Sequence, residues 1–200
     1  MSMKLFIIIF LLAVISGCVA EEERIAPTPS PTSTPTAIEK NTKEVTTMQN
    51  ISISAEAFQA GGAIPEEYTC DGSDVSPALS WRGIPANAKS IALIMDDPDA
   101  PMGTFVHWVL FNIPSDTTKL PRGVPGNRTL NDGSSQGITD FGRTGYGGPC
   151  PPGGTHRYYF RIYALDTMLD LQPGSSRKQL ENAMKRHVLA QGELMGKYER

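Results

Sequence analysis

Two of the chain's three histidines, His107 and His156, each sit where a turn-rich loop meets a strongly apolar segment. The first closes D-D-P-D-A-P-M-G-T-F-V-H, Asp96 to His107, and the second lies in G-R-T-G-Y-G-G-P-C-P-P-G-G-T-H-R-Y, Gly142 to Tyr158. Imidazoles brought near carboxylates can exchange a proton, hold a metal or grip an anion. Asp96, Asp97 and Asp99 crowd into four residues and repel one another unless donors or a cation compensate. The plain alternative is an Asp-Pro turn whose acids cap backbone N–H groups.

Strand alternation tells which side chains could meet. It places Phe105, His107, Val109 and Phe111 on one face, with Val106, Trp108 and Leu110 on the other. By the same rule His156, Tyr158, Phe160 and Ile162 share a face and Arg157 points away. Two histidines, a tyrosine and acids could therefore converge, although a lone histidine on an apolar face is more often a core residue with its hydrogen bonds satisfied. The loop from Gly142 to Gly154 has six glycines and three prolines in thirteen residues, so its N–H groups could form an anion-binding nest. Its glycine spacing fits neither a phosphate loop nor a dinucleotide fingerprint.

The elements that must position these loops are mostly strands. Ile51 to Ser54 and Ala78 to Trp81 alternate as half-buried strands do, whereas Ser90 to Met95 is apolar throughout and reads as covered on both faces. Phe105 to Ile113 and Tyr158 to Leu165 complete the core. One segment, about 176–190, has helical period: Leu180, Ala183, Met184 and Val188 make a stripe, with Arg177, Lys178, Glu181 and Lys185 opposite. Ser176 with Gln179 forms a capping box and Gly192 lies just beyond the end. His187, beside the apolar stripe, reads as structural. The pattern is mainly β, with the helix laid on a sheet.

The termini suggest an address. Lys4 precedes eleven consecutive apolar residues, Leu5 to Ile15, which suits a signal peptide and falls short of the roughly 20 needed to span a bilayer. Ile15-Ser16-Gly17-Cys18 resembles the lipobox of prokaryotic membrane lipoproteins, implying cleavage after residue 17 and acylation of Cys18 by chains such as palmitate. Two or three such chains would anchor the protein stably. Residues 18–49, with Glu21 to Glu23 and the run P-T-P-S-P-T-S-T-P-T, read as an extended tether, leaving 50–200 as one domain. Acids outnumber Lys and Arg, 21 to 18, and no basic run occurs, which argues against a nucleic-acid partner.

Several separated motifs together resemble the phosphatidylethanolamine-binding protein family, in its prokaryotic Raf-kinase-inhibitor-like branch. They are Asp97-Pro98-Asp99-Ala100-Pro101, His107-Trp108, Gly147 to Pro152, His156-Arg157-Tyr158, Cys70 to Pro77 and the ending Gly192 to Tyr198. The resemblance implies a large central antiparallel sheet, a smaller sheet and a small pocket for phosphate or a similar anionic head group, with no cofactor. Motif position carries pocket roles to Asp97, His107, Gly148, Pro149, His156 and Tyr158. It also implies a cis peptide at Ala100-Pro101, and X-Pro bonds adopt cis at little cost. Eukaryotic relatives have a further terminal helix near the pocket, for which this sequence has no room before Arg200, so their kinase-regulatory roles do not carry over.

Other chemistries remain open. Gly133 to Gly137, G-S-S-Q-G, matches a nucleophile-elbow pattern at Ser135 but lacks the strand before it and the helix after it, so Cys150 near His156 is the better nucleophile. Asp97, Asp99, His107 and His156 could supply metal ligands, though their spacing is not diagnostic. A protease inhibitor would instead use an exposed loop. With Cys18 lipidated, Cys70 and Cys150 remain as a pair. Oxidising surroundings favour their bonding if the Cα atoms lie within about 7 Å, the alternative being two free thiols in separate turns.

Overall fold

The computed structural model describes residues 49–200. The leader, Cys18 and residues 19–48 of the tether lie outside them. Among the described residues no helix is long and apolar enough to cross a membrane. Gln49, expected to end the tether, already belongs to a strand.

In chain order the elements are β1 (Gln49–Asn50), β2 (Ser52–Ala55), a 3-10 turn (Glu66–Tyr68), β3 (Leu79–Arg82), β4 (Ser90–Asp97), β5 (Phe105–Pro114), β6 (Lys119–Leu120), β7 (Ser135–Gln136), β8 (Thr155–Leu165), α1 (Arg177–Met184) and β9 (Val188–Glu199). A six-stranded sheet runs β1-β9-β8-β4-β5-β7, and a three-stranded sheet runs β2-β3-β6. The large sheet is mixed: its other pairings are antiparallel, but β1 lies parallel to β9.

β4 explains its own composition. It lies between β8 and β5, and all eight of its residues are buried, so both faces need apolar side chains. Met95 and Leu93 point into a core closed by the small sheet through Ile53, Leu79, Trp81 and Leu120. Ala92 and Ile94 point into a second core closed by Leu180 and Met184 of α1. The domain is thus a small sheet, a large sheet and a helix in successive layers.

Two expectations are corrected. α1 ends at Met184 instead of continuing to about residue 190, because Arg186 takes a left-handed φ of 71° and the chain turns into β9. Val188 still packs on the helix's apolar cluster, but from a strand. Gly192 is therefore no helix cap. It sits within β9 where a Cβ would come 1.9 Å from the Ile51 carbonyl oxygen, so only glycine admits the crossing chain. The capping box is as expected: the Ser176 hydroxyl accepts from the Gln179 N–H, and the Gln179 side chain accepts from the Ser176 N–H at 2.9 Å.

Candidate functional site

β4 delivers its acids to opposite faces, and the three crowded carboxylates find different partners. Asp96 turns to the helix side, paired with Arg161 and with Arg177 at 2.9 Å. Asp97 turns to the other side, where its Oδ2 accepts from His156 Nδ1 at 2.7 Å and its Oδ1 accepts from the Asp99 N–H at 2.8 Å. Asp99 takes a fork from Arg157, Nε at 2.8 Å and Nη2 at 2.6 Å, plus the Arg157 backbone N–H at 2.9 Å. That guanidinium lowers the Asp99 carboxyl from 3.8 to about 2. The turn and the site thus coexist, since Asp97 both caps its own turn and orients a histidine.

The Ala100-Pro101 peptide is trans, and no described peptide bond is cis. The reversal is made instead by Asp97 capping Asp99 and by the Gly103 N–H bonding to the Ala100 carbonyl at 3.1 Å. With the turn closed that way, the intrinsic trans preference of about 0.5–1 kcal/mol stands.

His107 reaches the site through a bulge. The β4–β5 register pairs Met95 with Trp108 but Asp96 with Val106, leaving His107 as the extra residue. Its ring stands edge-on to Tyr158, with centroids 5.2 Å apart, while Val109 and Phe111 face the helix-side core. Strict alternation had grouped His107 with those two, so the bulge corrects that assignment. Val106, set with Trp108 and Leu110 by the same rule, likewise packs with Val109. On β8 the alternation holds, and Tyr158, Phe160 and Ile162 share the core that His107 touches.

The glycine-rich loop docks on this bulge. His107 Nδ1 donates to the Gly147 carbonyl at 2.8 Å, and the Gly147 N–H donates back to the His107 carbonyl at 3.0 Å. A carbonyl only accepts, so Nδ1 carries the proton. Burial holds this imidazole below its usual 6.5, against the opposing pull of the Gly147 carbonyl and the Asp97 charge. Gly148 lies against the 66–74 segment, where a Cβ would come 2.4 Å from the Tyr68 carbonyl oxygen. Its N–H donates to Asp74 Oδ1 at 2.6 Å, and the Gly142, Gly147 and Gly154 N–H groups also bond within the protein. Those four donors are spent on holding the loop, so an anion nest cannot be built on them.

Pro149 accepts from the Cys70 N–H at 3.1 Å, and beside it Cys70 and Cys150 are joined in a disulfide with Cα atoms 5.4 Å apart. Cys150 is therefore not a free thiol. Ser135 lies in the two-residue β7 at the sheet edge, paired with Phe111, so no elbow forms around it.

Tyr158 is the remaining member. It is 0% exposed, and its buried hydroxyl, close to the Asp97 carboxylate and the Cys150 backbone, makes no well-formed hydrogen bond with either. Burial first, then the Asp97 carboxylate, push the phenol well above its usual 10.0, so it stays a donor. Asp97 and His107 at 3% and His156 at 8% are nearly as covered, so a ligand must be small or enter as the tip of a larger molecule. His156 is also one wall of an open depression of about 550 Å³ bordered by Asp99, Thr155, Arg157 and Lys197.

Sequence reasoning gave no role to Asp74, Arg143 or Phe141. Arg143 Nη2 donates to Asp74 Oδ2 at 3.0 Å and its Nη1 to the Tyr146 carbonyl at 2.6 Å, and the Phe141 ring abuts His107 at 5.2 Å. No periodicity links residues so far apart in the chain.

A family model described as phosphatidylethanolamine-binding protein matches residues 54–199. A UPF0098 protein of Methanothermobacter thermautotrophicus is 55% identical over 150 residues, 75% of this chain and 99% of the relative. One of Aquifex aeolicus is 50% identical over 149 residues, 73% of this chain and 86% of the relative. Among solved structures, a phosphatidylethanolamine-binding protein homologue of Chlamydia trachomatis superposes with a TM-score of 0.70 at 38% identity, covering 76% of this chain and 98% of its own. Escherichia coli YbcL, described as a member of the mammalian family, gives 0.69 at 32%, covering 76% and 99%.

Proposed function

Because this chain belongs to the phosphatidylethanolamine-binding protein family, we propose that residues 50–200 are an extracytoplasmic binding protein, not an enzyme, whose site takes phosphate or a phosphate-bearing head group. The observation that carries this reading is the Tyr158 hydroxyl, buried and unpartnered beside Asp97 and the two histidines. An orphaned buried donor costs about 1–3 kcal/mol, which a ligand oxygen would offset. When His156 holds both ring protons, Nδ1–H goes to Asp97 and Nε2–H is left for the ligand. The anchor is proposed from Leu5 to Ile15 followed by Cys18, and the Cys70–Cys150 disulfide is in keeping with an oxidising compartment.

Calorimetric titration of the full chain in detergent with inorganic phosphate and with phosphoethanolamine tests the reading. Saturable heat with either ligand supports it. No heat with both, at millimolar ligand, would move the function to protein partners.

A further inference from the structure

Gly147 is the contact that fixes the His107 tautomer, and the structure shows what fixes Gly147. One carboxylate reaches behind the loop on both sides of it. Asp74 Oδ1 holds the Gly148 N–H, and Asp74 Oδ2 holds Arg143, whose other guanidine nitrogen holds the Tyr146 carbonyl. The residues before and after Gly147 are thus tied to one side chain 74 positions upstream of Gly148. Arg143 also lies 5.6 Å over the Phe141 ring, which in turn abuts His107. Asp74 itself holds a left-handed φ of 52°, a conformation that a non-glycine residue keeps where its surroundings require it.

We infer that Asp74 is a positioning residue that locks His107 as the Nδ1–H tautomer through Gly148, Arg143 and the Gly147 carbonyl, and so makes His107 Nε2 an acceptor in the site. Resting on the binding reading above, this deepens it to a ligand class. The group that meets His107 must bring a proton of its own, as the P–OH of a phosphate monoanion or an ammonium does, whereas a fully deprotonated oxygen would face a lone pair. Tyr158 donates, and His107 accepts.

The test reads the His107 ring by nitrogen-15 NMR in the full chain without ligand. The expected result is Nδ1–H in the parent and a mixture containing substantial Nε2–H in Asp74→Ala, with phosphate affinity weakened about tenfold, the loss expected for one hydrogen bond to a charged group. Asp74→Asn retains an acceptor for Gly148 N–H and should recover most of the Nδ1–H signal. If Asp74→Ala does not fold, Asp74→Asn combined with Arg143→Ala takes its place. Asp71→Ala is the control: it removes bonds to Tyr198 and Arg200 from the same segment and should leave the tautomer alone. An unchanged His107 tautomer in Asp74→Ala, or in Asp74→Asn/Arg143→Ala where that stands in for it, overturns the inference, whatever happens to stability. A tautomer that shifts in a protein whose parent form binds no phosphate upholds the positioning role and refutes the binding reading instead.

Discussion

His156 Nδ1 lies 2.7 Å from Asp97 Oδ2 across 59 residues of chain, and the other oxygen of the same carboxylate accepts the Asp99 N–H. A single buried side chain therefore aims a site histidine and closes the turn beside it. Both contacts ask for an acceptor, which makes the position intolerant of an amide.

Asp97→Asn supplies one acceptor where two are needed and leaves its NH2 facing a donor. We expect a stability loss of about 1–3 kcal/mol by urea unfolding and a fall in phosphate affinity of about tenfold. Adding His156→Ala to Asp97→Asn should lower affinity little further, since the two residues act as one unit. Full additivity would show that Asp97 acts on the ligand independently.

The Cys70–Cys150 bond spans 80 residues of sequence and ties the 66–74 segment to the loop that holds His107. A disulfide that constrains the unfolded chain is typically worth about 2–4 kcal/mol, and a loop this long lies at or above the upper end. Unfolding with and without reductant should differ by that amount, and Cys70→Ser/Cys150→Ser should match the reduced parent.

Acid should act through two groups of known sign. Asp99 has a folded value of about 2 against 3.8, so its contribution is present above 3.8 and is lost as pH falls toward 2. His107 is depressed below 6.5, so the unfolded chain takes up its proton first and stability declines as pH falls beneath 6.5. Arg157→Ala should remove the first dependence, and His107→Gln should flatten the second, as read from unfolding midpoints across pH. A stability that rises on acidification from 6.5 would contradict the second assignment.

Gly192→Ala would drive a methyl group into the Ile51 carbonyl, 1.9 Å away. Overpacking of this kind costs about 1–3 kcal/mol, and here it also wedges β9 from the Ile51 crossing. Thermal unfolding of this variant measures the effect.

How far the sequence could be read follows from which rules were local. The unbroken apolar run of β4 and the alternation of β8 gave those strands their faces, because each depends only on neighbours in the chain. His107 was placed wrongly beside Val109 and Phe111 because a bulge shifts alternation by one residue without leaving a mark in residue type. β9 was hidden because Gly192 and Gly196 weaken a strand pattern. What demands them is close approach by Ile51, Phe58 and Ile64, far away in sequence. The partners of Asp96, Asp97 and Asp99 were likewise beyond local reach: the acids looked crowded, and only the fold separates them to Arg161 and Arg177, to His156 and to Arg157.

Tyr158→Phe reads out whether the buried phenol meets a ligand. Its hydroxyl makes no well-formed hydrogen bond within the protein, so removing it should change stability little, while phosphate affinity measured by calorimetry falls about tenfold or more. Unchanged affinity, or a large loss of stability with affinity intact, would contradict a ligand role for this buried donor and for the site built around it.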